Sequence, residues 1–410
     1  MNFSFIQITD IHVGTSLDFP GMTRKAEENL KDAVEEINRL RFKPAFVAAT
    51  GDCANSGMGD VLKYRKLVRG LRVPVHSIPS SHDLALGSLP GGGIVLSDDV
   101  SRWKKWIGPA RFSFSHGGVF FVFFEPFRKI SEKGGGNIFD GAVRDWLAEE
   151  LDKAGRKTPV IILYHIPLMP AKNGYVGWRK ADDFLSALKG RNIMALICGH
   201  RHRNEEHRLA DGVTQIQTGP LAGVQWTGMP PNYFFPVRGG YRICVVCDGK
   251  FNSFYKQLGS DLQVNIEKIG GAHTQGPRPQ VKPAIVARDA RLLVKAYSGT
   301  SSVTGVDYSL GDGKWHSMRK KSENIFSEWE AVLPAKRAAR GHEVLMARVT
   351  ARKGNCAYDF APVFFKPDAK APVAARNAPE MVFEVFTMKA EEGAVDPKTK
   401  GFFPWRCVEE

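Results

Sequence analysis

Phe3-Ser4-Phe5-Ile6-Gln7-Ile8 reads as a largely apolar β-strand, and it stops two residues before Asp10-Ile11-His12. The same event recurs along the chain. The apolar run at 45–49 leads to Gly51-Asp52, the run at 73–78 to Ser80-Ser81-His82-Asp83, the run at 160–164 to His165, and the run at 193–198 to Gly199-His200-Arg201-His202. One Asp-x-His alone is weak, because it serves equally well as a turn residue beside a half-buried histidine. Five such pieces in order carry more, since strands of an α/β sheet deliver the side chains that follow them to one carboxyl edge.

Helical periodicity fills the gaps between these runs. Ala26, Leu30, Ala33, Val34 and Ile37 recur at helical spacing, as do Val143, Trp146, Leu147 and Leu151 behind an expected N-cap at Asp140. With a further strand at 119–124, residues 1–270 read as a layered α/β domain. The stretch Gly270-Gly271-Ala272-His273-Thr274-Gln275-Gly276-Pro277-Arg278-Pro279 is rich in turn formers and marks a boundary. Short β-like patterns at 291–297, 303–309, 329–333 and 344–350, with a Gly311-Asp312-Gly313 turn, predict a β-sandwich over 280–368. Residues 369–410 read as an extension with one more strand at 381–386, and Phe402, Phe403 and Trp405 suggest that it docks on the body.

At 410 residues and 43% hydrophobic content the chain exceeds what one core usually holds, so two domains are the expectation. No run of 18 apolar residues occurs, which argues against a membrane-spanning helix. The first strand starts too early to leave room for a signal peptide, so a cytoplasmic protein is expected, exported only if a leader once preceded Met1. The six cysteines are scattered and read as reduced thiols. Cys244 and Cys247 lie three apart in a strand, on opposite faces, so core packing is their expected role. The formal net charge of +14 favours anionic partners by long-range steering. The clusters Lys320-Lys321 and Lys336-Arg337 are too short to indicate nucleic-acid binding, and the oligomeric state stays open.

Carboxylate oxygens and neutral imidazoles suit Mn, Fe or Zn, whereas a structural zinc would call for thiolates and calcium for oxygens throughout. Here the set is nitrogen and oxygen only. An aspartate placed centrally among the motifs can bridge two ions.

In order and spacing the motifs resemble those of the calcineurin-like metallophosphoesterases: D-x-H, G-D, G-N-H-[DE], H and G-H-x-H. The resemblance covers residues 5 to about 260 and extends to Phe139-Asp140-Gly141-Ala142-Val143-Arg144-Asp145-Trp146-Leu147, and to Thr218-Gly219-Pro220 followed by Gly240-Tyr241-Arg242. It implies a four-layer α/β/β/α fold and a metal-dependent phosphoric ester hydrolase, acting on a phosphomonoester or phosphodiester through a hydroxide bridging two ions. By the same resemblance Asp10, His12 and His202 hold the first metal, Asp52 bridges, and Ser81, His165 and His200 hold the second. His82 stabilises or protonates the leaving group, and Asp83 keeps that imidazole in its useful tautomer. Tyr175, Trp178 and Arg179, a short loop after His165, and Arg201 between the last two histidines are candidates for lining the substrate pocket. The 280–368 sandwich resembles immunoglobulin or fibronectin-like modules appended to hydrolases.

One departure matters. Ser80-Ser81 stands where the motif has Gly-Asn, and a serine hydroxyl is both shorter and a weaker donor than an asparagine carbonyl. The expectation is a complete first metal site and a weakened second one, with a turn restricted at Ser80 if it needs positive φ. The alternative reading is a degenerate relative that binds a phosphorylated ligand or partner with little turnover.

Overall fold

The computed structural model describes residues 2–365, except 20–21, 89–93, 96, 98, 126–138, 140, 172–173, 177–180, 210–211, 227–233, 271, 274–283, 311–312, 335–340 and 353. The N-cap expected at Asp140, the strand expected at 381–386 and the docking tail therefore lie outside the described residues, as do Trp178 and Arg179. The chain divides into two compact units, Met1–Leu258 and Gly259–Glu410.

In the first unit the apolar runs are strands, because alternate side chains find cores on both faces. One sheet orders Lys250–Gln257, Gly240–Cys247, Asn2–Ile8, Val47–Thr50 and Val75–Ile78, the last three parallel. The other orders Glu205–Arg208, Thr214–Gln217, Ile193–Cys198, Val160–Leu163, Val119–Phe123 and Phe112–His116, with Val119–Phe123, Val160–Leu163, Ile193–Cys198 and Thr214–Gln217 running parallel. Phe5, Ala48 and Ile78 of the first sheet and Phe121, Phe123, Ile161, Leu163 and Ile197 of the second share one core. The two sheets therefore face each other. Phe5 stacks on Phe46 at 5.0 Å, and Phe121 meets both rings edge-on at 5.4 and 5.1 Å, a geometry that adds to plain area burial.

Helices cover the outer faces. Ala26–Arg39 (α1) buries the predicted stripe of Ala26, Leu30, Ala33, Val34 and Ile37. Gly57–Val68 (α2) buries Val61, Tyr64 and Val68. The Tyr64 hydroxyl reaches Ser77 at 2.7 Å, and Ser77 points away from the shared core into which its neighbour Ile78 points, so α2 lies outside the first sheet. After the short helices Ser81–Leu84 (α3) and Ser101–Trp106 (α4), Gly141–Ala154 (α5) and Ala181–Leu188 (α6) pack through Val143, Leu147, Leu151, Phe184 and Leu188 against Phe120, Val122 and Ile162 on the far side of the second sheet. The layers run α/β/β/α.

Among its described residues the second unit forms two five-stranded sheets that share a core of Val264, Ile266, Leu292, Val294, Trp329, Leu345, Ala347, Val349 and Val363. One contains Leu262–Ile269 paired with Ala290–Ser298, so the strand before the turn-rich 270–279 stretch belongs with the sheet that follows it. Pairing is antiparallel except where Ala284–Val286 runs parallel to Cys356–Phe365. The described cysteines are free thiols, and Cys244 sits in the first unit's core.

Candidate metal centre

Asp10, Asp52, His165 and His200 each follow a parallel strand by two residues, and Ser81 follows Val75–Ile78 by three. All arrive at the same carboxyl edge. The loops there are zipped together by their backbones: the amides of Ile11 and His12 donate to the Asp52 carbonyl at 2.8 and 2.9 Å, and the Asp10 amide donates to the Gly51 carbonyl at 3.2 Å. The chain bends sharply to present the side chains. Asp10, His12, Asp52, His200 and His202 all have φ between 49° and 75°, the left-handed region that costs a non-glycine residue about 1 kcal/mol or more. That strain marks the ends of three different strands and no ordinary turn.

Among the described residues, three groups form whose own ligand atoms all lie within 4.8 Å of one another: Asp10, His12 and His202; His12, Asp52 and His82; and Asp52, His165 and His200. Asp52 is common to the last two. Its carboxylate lies 3.6 Å from His12 Nε2 and 3.1 Å from His165 Nε2, while Asp10 lies 3.3 Å from His202 Nε2. The predicted ligands Asp10, His12, Asp52, His165, His200 and His202 are thus brought together.

Backbone carbonyls orient the rings. His165 Nδ1 meets the Thr50 carbonyl at 2.8 Å, His202 Nδ1 the Val224 carbonyl at 2.6 Å, and His82 Nδ1 the Asn55 carbonyl at 2.7 Å. Each Nδ1 donates to its carbonyl, leaving Nε2 to face the centre, the usual way a ligating imidazole is fixed. Asp52 Oδ1 and His165 Nε2 are buried without a hydrogen-bond partner, and His12 Nε2 faces His202 Nε2 at 3.1 Å. Buried nitrogens and carboxylate oxygens turned on one another call for cations between them.

Electrostatics agree. Burial alone would raise the Asp10 and Asp52 carboxyls, yet the neighbouring imidazoles, His202 for Asp10 and His165 for Asp52, hold both below the usual range. Burial pushes His12 down to about 3 and His200 down to about 4. It also opposes charge on His165 and His202, but Asp52 lifts His165 to about 10 and Asp10 lifts His202. Without cations, a proton on His165 offsets carboxylate charge, and Asp10 favours a second on His202. Metal ions fit as their replacements: Asp10, His12, Asp52 and His202 would hold one, and Asp52, His165 and His200 the other.

Residues 3–204 match the family described as calcineurin-like phosphoesterase. These residues are a calcineurin-like phosphoesterase domain. Among relatives, the probable glycerophosphodiester phosphodiesterase GpdQ of Arcobacter nitrofigilis is 24% identical over 213 residues, which is 48% of this chain and 71% of that protein. The serine/threonine-protein phosphatase CPPED1 of Danio rerio is 26% identical over 227 residues, 49% of this chain and 71% of the relative. A solved dimetal phosphatase from Danio rerio is 17% identical with a TM-score of 0.43, covering 63% of this chain and 99% of that one. The calcineurin-like domain is a phosphoesterase, with the His and Asp clusters of a two-metal site.

Two expectations need correction. Asp83 does not hold the His82 ring. Its buried carboxylate accepts from the amides of Ala54 and Ser80, both at 2.8 Å, so both oxygens are committed to backbone, and His82 is oriented by the Asn55 carbonyl instead. Asp83 acts one step back, tying the 53–55 loop to the start of α3. Burial, then the nearby Asp52 charge, pushes its carboxyl up to about 8. The turn at Ser80 is also unrestricted: its φ is −135°, open to any residue, so the missing glycine costs nothing there.

Ser81 begins α3 and is half-buried beside His82. Arg201 is half-buried between His200 and His202, and its Nε has no hydrogen-bond partner. Tyr175 lies in the Gly174–Val176 strand, paired with Met169–Ala171. Sequence reasoning missed Glu125, two residues after Val119–Phe123, whose carboxylate accepts the His165 amide at 3.0 Å. Burial raises it to about 8, with His165 offsetting part of the effect. The only signal was an acid ending an apolar strand. Arg242, buried at 3% exposure, was noted only as part of a similar segment. It donates to Thr218 Oγ1 at 2.7 Å, Asn204 Oδ1 at 2.8 Å and the Gln217 carbonyl at 3.1 Å, and Thr218 joins it to Gln7 and so to Thr50. That network braces the strand ends beneath the site.

Proposed function

We propose that the first unit hydrolyses a soluble phosphate mono- or diester with two transition-metal ions drawn from Mn, Fe and Zn. The observation that carries this reading is Asp52, buried between His12 and His165 with one carboxylate oxygen unpartnered. Two such ions, when bound, supply positive charge for the phosphoryl oxygens and lower the pKa of a coordinated water. The chain's own residues do the rest. Asp10 and Asp52 set the charge of the site, and carbonyls fix the rings. His82, with Nδ1 held by Asn55, keeps Nε2 available to protonate the departing oxygen. Arg201, with an unpartnered Nε beside two ligands, is placed to hold a phosphoryl oxygen.

The weakened second site is part of the proposal. It rests on Ser81, whose hydroxyl reaches less far than the amide it replaces. The two facing sheets of the second unit support an immunoglobulin or fibronectin-like accessory module. Hydrolysis of chromogenic phosphate mono- and diesters by metal-stripped protein, with and without Mn²⁺, Fe²⁺ or Zn²⁺, tests the reading: turnover restored by metal supports it, and a folded protein inert with every ion contradicts it.

A further inference from the structure

A second feature lies beside the centre, on α2, α4 and the chain that leaves α3. Helix α2 with its C-cap carries Lys63, Arg65, Lys66 and Arg69, and α4 carries Arg102, Lys104 and Lys105, against Asp60, which pairs with Lys63 at 3.1 Å, and exposed Asp99, which bonds Ser101 at the start of α4 beside Arg102. Apolar side chains stand among them. Leu62, Leu86, Val95 and Trp106 are 37%, 54%, 40% and 36% exposed, four of the seven large apolar side chains exposed among the described residues.

These side chains stand on neighbouring elements, Leu62 and Trp106 where α2 meets α4 and Leu86 and Val95 at the start of α2. Arg65 and Lys105 both lie over the Trp106 ring, at 5.7 and 5.2 Å, and Leu62 precedes Arg65 by three residues on the same helical face. The Leu86 amide donates to the Val95 carbonyl at 2.8 Å, and the Leu86 carbonyl lies 3.9 Å from where a Cβ on Gly57 would stand, at the first residue of α2. Clustered exposed apolar side chains mark a contact surface.

Charge and shape together select the occupant. A nucleic acid would use the cations but offers its backbone nothing to gain from Leu62, Leu86 and Val95. An anionic bilayer uses both: aliphatic side chains enter the acyl boundary, tryptophan sits at headgroup level, and Lys and Arg reach lipid phosphates with their stems lying along apolar surface. We propose that this face docks the protein on an anionic phospholipid surface. Leu86 lies four residues after His82, so the docked face is next to the catalytic edge. The proposal does not depend on turnover.

The test is co-sedimentation of the full chain with phosphatidylcholine vesicles, with and without phosphatidylserine. Binding is expected only to the anionic vesicles and should weaken as salt rises. At about 1 kcal/mol per basic residue near such a surface, or about fivefold each, the exposed pair Lys66→Glu and Lys104→Glu should lower partitioning at least about 25-fold. Leu86→Ala should weaken it with charge unchanged, while hydrolysis of a soluble ester stays at the parent rate. Equal partitioning to neutral vesicles, an unaltered charge-reversed variant, or binding to RNA or an acidic peptide without vesicle binding would each overturn the proposal.

Discussion

His165 Nε2 lies 3.1 Å from an Asp52 oxygen, while its Nδ1 lies 2.8 Å from the Thr50 carbonyl. The ring is pinned by a neutral acceptor on one side and aimed at a carboxylate on the other. In metal-free protein a proton is held there, since Asp52 outweighs burial and lifts the imidazole to about 10. An ion entering the site must displace it. Loading should release a proton at neutral pH from His165, with His202, which Asp10 also lifts, adding to it. Calorimetry in two buffers of different ionisation enthalpy reads the number released. The sign follows: metal affinity falls as pH drops, because protons compete for the same nitrogens. Loading without proton release would mean that other atoms take the ions.

Ser81→Asn restores a longer neutral donor at the start of α3. Tighter binding of the second ion by about tenfold is expected, with little change in the first. Metal titration followed by elemental analysis separates the two. Equal and tight occupancy in the parent protein would show that Ser81 is no handicap.

His82 and Asp83 should fail differently. His82→Ala should lower kcat by about 100-fold or more for esters with poor alkoxide leaving groups and far less for nitrophenyl esters, the pattern of a lost general acid. Asp83→Ala leaves the Ala54 and Ser80 amides without acceptors and should cost about 2 kcal/mol of stability, seen in denaturant unfolding. A uniform loss for both ester types in His82→Ala would place His82 outside leaving-group chemistry.

The second unit carries its own pH dependence. Asp359 accepts from the amides of Ile266 and Phe360, but burial dominates and raises its carboxyl to about 6. The folded state therefore holds this proton more tightly than the unfolded chain, whose carboxyl titrates near 3.8. The stabilisation from this group is full below the unfolded value and is lost as pH rises through about 6. Asp359→Ala should flatten stability between those limits, as followed by calorimetry. An unchanged slope would assign it to other groups.

Much of this could be read in the chain because its information is local. The strands ending before Asp10, Asp52, His165 and His200 stood out as apolar runs, and the α1 stripe stood out by period. What escaped reading depends on backbone. The carbonyls of Thr50, Asn55 and Val224 that orient the rings leave no trace, since every residue has one. For the same reason Asp83 looked like the partner of its neighbour His82, when the amides of Ala54 and Ser80 compete better for it. Glu125 was invisible because its role is set by the strand beside it. The left-handed φ of Asp10 belongs to a residue type that tolerates it, so no glycine announced that bend, whereas at Asp52 the neighbouring Gly51 shares the left-handed turn at φ 87°.

The central claim is that Asp52 joins two metal ions in a working hydrolase. Replacing it with Asn keeps the shape and removes the charge. The measurement is metal-dependent ester hydrolysis by Asp52→Asn beside the parent protein, with bound metal counted in both. Loss of about 1,000-fold or more in kcat/KM, together with loss of at least one ion, is the predicted result. Parent-like turnover with both ions retained would contradict the account.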